Sequence, residues 1–205
     1  MKLFYAPNTC AIAPHIALAE AGIPFSLELV DLKAGKKLAD GTSYFSINPK
    51  GYVPALMLDG GEVLSEVQVI LQYIADLKPE ANLAPKPGTM ERVRMNELLA
   101  FIATELHKNM SPLYQPYASP EFKAAWTAGK LDARWQHLAQ LVDGKSFIFG
   151  DHFSIADAYA FYVLRSWQGA AIKGDLSKWP HLASYWARLS ERPSVKAGVE
   201  AHSRR

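Results

Sequence analysis

Cysteine is almost missing from this chain: Cys10 is the single one in 205 residues. That excludes an internal disulfide and a multi-cysteine metal site, so no metal is expected. Any disulfide at Cys10 must form with a thiol from outside. A dominant charge sign is lacking as well. The 22 basic and 20 acidic side chains leave a net charge of +2, which argues against nucleic acid or a membrane surface as the main partner. No apolar run approaches the roughly 18 residues that suggest a membrane span. Met1-Lys2-Leu3-Phe4-Tyr5 does not lead into a secretory signal pattern. Repeats and low-complexity stretches are also absent. These gaps predict a cytoplasmic protein of a reducing compartment. With 49% hydrophobic and 20% charged residues the chain can bury a real core. Ser203-Arg204-Arg205 reads as a frayed basic end.

What is present falls into two parts. Lys2-Leu3-Phe4-Tyr5 reads as a strand, followed by a turn and a helix opening at Cys10, with Gly22 as its C-cap. Residues 25–30 alternate apolar and polar with the period of a half-buried strand. Residues 31–41 read as a polar loop or short irregular helix. Asn48-Pro49-Lys50-Gly51 is a turn, residues 53–58 a third strand, and Asp59-Gly60-Gly61 a hairpin turn into a fourth, Glu62-Val63-Leu64. Ser65 reads as the cap of a helix with apolar positions Val67, Ile70, Leu71, Ile74 and Leu77. Pro79, Pro85 and Pro87, followed by Gly88, break the pattern, and beyond them the signal is helical. The expected organisation is an α/β domain over residues 1–77, a linker over 78–87 and an all-α domain over 88–205. Four helices are expected in the second part. They are marked by Met95 to Leu106, by Leu131 to Leu141, by a start at Ser154, and by Trp179-Pro180, with Arg192-Pro193 as the last stop.

Several constellations suggest chemistry. A thiol at Cys10, with Thr9 as N-cap, would face helix-terminal amides and a positive dipole end, which favour thiolate. The bland alternative is a small buried hydrophobe. Ala13 stands where a Cys-x-x-Cys motif would put its second thiol. Pro54 at the start of a strand is out of place unless the Val53-Pro54 bond is cis, which would leave the Val53 backbone free to pair with an extended peptide. The amides of Glu66 and Val67 at a helix start suit an anion, and the Glu66 carboxylate suits an ammonium beside it. Together they describe an α-amino acid head group, although simple capping explains them too. His107, beside the small residues Ala100 and Ala103, is a candidate base or hydrogen-bond donor. Ser154-Ile155-Ala156-Asp157 is a capping box with Phe153 as staple residue, a folding device.

In this order the signals resemble the glutathione S-transferase family, the bacterial beta class most closely. The pieces that carry the likeness are residues 2–10, 48–56, 102–108 and 153–159. The resemblance implies a thioredoxin-like N-terminal domain that binds glutathione as co-substrate, an all-α C-terminal domain holding a small hydrophobic electrophile, and a homodimer. It implies that Cys10 and His107 lie at the glutathione sulfur. Val53, ahead of Pro54, would pair with the cysteinyl backbone. Glu66 and Val67 would take the γ-glutamyl head, and Lys36 would lie near the glycyl carboxylate. Thr104 and Glu105 would border the site, Glu105 reaching the partner subunit's ligand. Tyr114, Tyr117, Phe161, Trp167 and Tyr162 are candidates for the hydrophobic pocket. Two departures stand out: Val67 where relatives carry Ser or Gly, and Ala100 where they carry Asn. Tyr5 is expected to be structural. The rival readings are a glutathione-dependent thiol–disulfide oxidoreductase or peroxidase through Cys10, and a non-catalytic protein on the same fold.

Overall fold

The computed structural model describes residues 1–203, so Arg204 and Arg205 of the basic end lie outside the described residues. Strand β1 (Lys2–Tyr5) runs parallel to β2 (Ser26–Leu29) and antiparallel to β3 (Ala55–Met57), which pairs antiparallel with β4 (Val63–Ser65). The sheet order is β2-β1-β3-β4. Helices α1 (Ile12–Glu20) and α2 (Val67–Leu77) complete the thioredoxin-like unit that the sequence predicts. Leu3, Ile12, Ile16, Leu56, Ile70 and Leu71 are fully buried between sheet and helices. On the other face Phe4, Val30, Tyr44 and Ala55 form a smaller cluster.

Of the two readings of residues 31–41 the loop is the one that forms, a turn with bridges at Lys37, and a short helical turn comes later, at Tyr44–Ser46. One local expectation is corrected. Ser65 ends β4 rather than capping α2; the cap position belongs to Glu66.

The rest is helical: α3 (Met90–Phe101), α4 (Pro120–Trp126), α5 (Asp132–Val142), α6 (Ile155–Gln168), α7 (Pro180–Ser190) and α8 (Pro193–Ser203). Between α2 and α3 lies a short turn, Pro79–Ala81. Arg92, buried on α3, makes a bidentate pair with Asp76 of α2 at 2.8 and 2.9 Å and also donates to the Pro85 carbonyl, pinning that connection. Helices α4 and α8 are absent from the sequence expectation. Pro120 and Pro193 look like stops, yet each sits in the first turn of a helix, where proline forfeits no hydrogen bond. Ser119 before Pro120 caps α4 by accepting from the Phe122 amide. Among the described residues no helix is long and apolar enough to cross a membrane.

Helix α6 is the central pillar of this half. Its capping box forms as predicted, with Asp157 fully buried at its base. It also packs against α1, α2 and α3, which fixes the helical half against the sheet unit. Phe161 and Trp167 belong to the core of this half. Phe161 stacks on Trp186 at 4.8 Å, and Trp167 lies against Trp135 at 5.2 Å. Gly174 closes over Trp167: a Cβ there would stand 2.0 Å from the indole. Gly174→Ala is therefore expected to cost about 2–3 kcal/mol by overpacking, read as a lowered urea midpoint with an unchanged slope.

Candidate functional site

The functional cleft lies where the start of α1, the β3 approach, the start of α2 and the α3 continuation meet. The chain reaches β3 through Asn48-Pro49-Lys50-Gly51, whose turn is held by the Asn48 side chain donating to the Tyr52 carbonyl at 2.8 Å. The Val53-Pro54 bond is cis, as the out-of-place proline suggests. Glu66 sits at φ 70°, in the left-handed region that a non-glycine residue adopts only when its surroundings hold it there. Its carboxylate bonds the Lys50 ammonium.

The third wall comes from an irregularity. After α3 the chain continues as a π-helical turn, Ile102–His107, and then a tighter segment, Lys108–Tyr114, containing Pro112. Ile102 and Leu106 still point into the core, while Ala103, Thr104 and His107 face the cleft. Such π turns recur at functional sites because they re-aim side chains without breaking the helix.

Two adjoining cavities result. The first, about 480 Å³, is lined by Cys10, Val53, Pro54, Glu66, Val67, Thr104, His107 and Tyr159 among others. The second, about 420 Å³, is lined by Asn8, Thr9, Lys36, Tyr114 and Tyr162. Cys10, Tyr52, Val53 and His107 border both.

Cys10 reverses one expectation. Helix α1 begins at Ile12, and the Thr9 hydroxyl donates back to the Ala6 carbonyl instead of capping it. The Cys10 thiol donates to the Val53 carbonyl at 3.5 Å. Burial, aided by the charge of Glu66, pushes the thiol up to about 12. It is therefore a protonated hydrogen-bond donor and not a resting thiolate.

His107 is corrected too. Burial, with Lys108 nearby, lowers it to about 4, so the ring is neutral near pH 7. Both its nitrogens are engaged: Nδ1 lies 2.9 Å from the Tyr159 hydroxyl and Nε2 lies 3.1 Å from that of Tyr162. No ring nitrogen is free to meet a sulfur directly.

The remaining candidates divide. Lys36 borders the second cavity, its ammonium 5.2 and 5.4 Å from the rings of Phe45 and Tyr52. Tyr114 lies at the cavity mouth with its hydroxyl on Ser166. Tyr117 is 84% exposed, and neither it nor Phe161 or Trp167 lines either cavity. Glu105 faces away and pairs with Arg134 at 2.9 Å. Ala100 is exposed outside both linings. Tyr5 is buried with its ring 4.7 Å from His202, a structural place. Sequence reasoning missed Lys50, Gln68, Lys108, Ser111 and Tyr159 as cavity residues. Lys50 was open to detection, as a cation in a tight turn directly ahead of the cis-proline strand. Among the described residues no cluster of three or more His, Cys, Asp or Glu could hold a metal.

A thioredoxin-like sheet unit backed by a helical half that completes the cleft is the architecture of a two-domain transferase fold, and the comparisons name the family. The family model for the N-terminal domain of glutathione S-transferase matches residues 9–77, and that for the C-terminal domain matches residues 105–201. Glutathione S-transferase GstA of Escherichia coli O157:H7 is 42% identical over 201 residues, covering 98% of each chain. A sphingomonad glutathione S-transferase solved in complex with glutathione is 40% identical with a TM-score of 0.91, covering 98% of each chain. A bacterial beta class enzyme of Sphingomonas chungbukensis is 43% identical with a TM-score of 0.90, again over 98% of each. The chain belongs to the glutathione S-transferase family, and it is a transferase similar to the bacterial beta class.

Proposed function

We propose that the first cavity holds glutathione and that its thiolate attacks a small hydrophobic electrophile held in the second. The observation that carries this reading is the Cys10–Val53 pair at the junction of the two cavities. The Val53 backbone pairs with the cysteinyl residue of the tripeptide and delivers its sulfur beside Cys10. The Glu66 carboxylate takes the γ-glutamyl ammonium, and the first amides of α2, at Val67, take the α-carboxylate. Lys36 or Lys50 meets the glycyl carboxylate. Val67 contributes its amide but no hydroxyl, so one contact made by a Ser at that position is lost. Thr104 borders the ligand. A role for Glu105 toward the second subunit of a homodimer requires its Arg134 partner to yield. Tyr114 and Tyr162 wall the electrophile, whereas Phe161, Trp167 and Tyr117 stand apart from it. A cytoplasmic setting fits the lone reduced thiol.

A protonated Cys10 acts by turning its S–H from the Val53 carbonyl to the glutathione thiolate, where a donor stabilises charge as it develops. The same observation disfavours the oxidoreductase reading, since disulfide exchange needs an attacking thiolate. Cys10→Ala is accordingly expected to keep on the order of a tenth of the haloarene conjugation rate, because losing one hydrogen bond from a weak S–H donor to a charged group costs roughly 1.5 kcal/mol. Assays with a haloarene and with a glutathione mixed disulfide separate the readings. Loss of the second activity alone would transfer the covalent role to Cys10, and the absence of both activities in unmutated protein would leave a non-catalytic binder.

A further inference from the structure

His107 raises a hydrogen-bond inventory problem whose solution points beyond its own role. A neutral imidazole has one N–H and one lone pair. Two tyrosine hydroxyls occupy the two nitrogens, Tyr159 at 2.9 Å and Tyr162 at 3.1 Å. One tyrosine must therefore donate to the ring and the other accept from it. The accepting tyrosine keeps its own proton to give elsewhere. Tyr159 borders the glutathione cavity and Tyr162 borders the second one. On α6, Tyr159, Tyr162 and Ser166 share one face, three and four residues apart. Ser166 hydrogen-bonds the hydroxyl of Tyr114, which is 44% exposed at the outer end, and stands one helical turn beyond Tyr162, near enough to ease ionisation of its phenol.

We propose that Tyr159, His107, Tyr162, Ser166 and Tyr114 form a proton relay that carries the thiol proton of bound glutathione out of the first cavity to solvent at Tyr114. This rests on the reading of the first cavity given above. In the starting arrangement Tyr159 donates to Nδ1, Nε2–H donates to Tyr162, Tyr162 donates to Ser166 and Ser166 donates to Tyr114. The glutathione S–H bond breaks and its proton joins the Tyr159 oxygen. The Tyr159 proton passes to Nδ1, the Nε2 proton to Tyr162, the Tyr162 proton to Ser166, the Ser166 proton to Tyr114, and the Tyr114 proton to water. Glutathione is left as thiolate and every relay member is again neutral. The ring has exchanged tautomers and at no stage holds two protons. That matters because burial disfavours the imidazolium here, and equally disfavours either tyrosinate, so a stepwise transfer through a charged member is costly. A proton passed inward from Tyr114 restores the first tautomer and is then available at Tyr159 for a basic leaving atom. Tyr162 and Ser166 are thus positioning residues that act through His107 and Tyr159.

The test is stopped-flow mixing with glutathione in weak buffer, following proton release with an indicator dye and thiolate by its ultraviolet band. Tyr162→Phe and Ser166→Ala keep nearly the same volume and interrupt the chain. Both are expected to slow proton release at least about tenfold and to shrink its solvent isotope effect. Affinity for S-methylglutathione, which has no thiol proton, should move less than about twofold, and Ser166→Thr should recover the rate. Release at the unmutated speed in both variants overturns the relay while leaving the glutathione site intact. Equal slowing in Ser166→Thr and Ser166→Ala also overturns it, because packing and not the hydroxyl would then be at fault. Unmutated protein that yields neither proton nor thiolate band would overturn the site reading and the relay together.

Discussion

Acidification from pH 7 to about pH 4 is expected to remove on the order of 5 kcal/mol of folding stability through two histidines that line neither cavity of the cleft. His15 of α1 and His202 of α8 are buried with ring centroids 5.1 Å apart, enclosed by Tyr5 of β1 and Phe25. Among the described residues, Nδ1 of His15 and both nitrogens of His202 have no hydrogen-bond partner. Burial lowers His15 from 6.5 to about 4, and burial, His15 and the Arg165 charge lower His202 to about 3. The unfolded chain takes up both protons below about pH 6.5, whereas the folded protein resists them. The stability is therefore fully present above about pH 6.5 and is lost as pH falls toward 4 and 3. Each unit of displacement corresponds to about 1.4 kcal/mol. Since α8 crosses α1 at this point and is further tied by Arg192 to Glu20 at 2.7 and 2.9 Å, the two halves loosen there first. Urea midpoints measured against pH give the slope, and His202→Phe should flatten it by about half. An unchanged slope in that variant and in His15→Phe would move the acid sensitivity elsewhere.

Asp157→Ala is expected to cost about 3–5 kcal/mol. The carboxylate is fully buried and accepts from four donors: the amides of Ile148 and Ser154, the Ser154 hydroxyl and the Tyr185 hydroxyl. Removing it strands all of them away from water, at about 1–3 kcal/mol for each that finds no substitute. The loss exceeds the about 0.5–2 kcal/mol of an ordinary cap, because the network also fixes the 148 loop and α7 onto α6. For a chain of this length each kcal/mol lowers the melting temperature by about 2–4 °C, so calorimetry should show a drop of about 6–20 °C. Ser154→Ala leaves the carboxylate with two backbone donors and Tyr185, and should cost far less. A melting temperature within a few degrees of the unmutated protein in Asp157→Ala would show that water enters and substitutes for the carboxylate.

The sequence was most legible where a local rule and the tertiary structure agree. Strand β1 and helix α2 lie at their expected residues, and the capping box at Ser154 and Asp157 forms. Pro54 pointed to the cleft because it breaks a local rule, the strand's need for a donor, and Glu66 because a carboxylate beside helix-start amides suits an amino-acid head group; its left-handed backbone became visible only in the structure. Burial was the illegible quantity. Local sequence put Cys10 at a helix start, but burial, helped by the charge of the sequence-distant Glu66, decides its protonation. His107 likewise reads as a lone helical histidine, because its two tyrosine partners lie 52 and 55 residues away. The π turn that aims it leaves no sequence signature that pattern reading detects. Phe161 and Trp167 were pocket candidates by type, and only packing shows them to be core.

The central claim is that the reacting sulfur belongs to glutathione and that Cys10 assists as a donor. A pH titration of the thiolate band, recorded with and without glutathione for unmutated protein and Cys10→Ala, tests it most directly. The account predicts a band only with glutathione, with a midpoint below the roughly 8.5 of a free thiol, persisting in Cys10→Ala at a somewhat higher pH. A band present without glutathione, or abolished by Cys10→Ala, would contradict it.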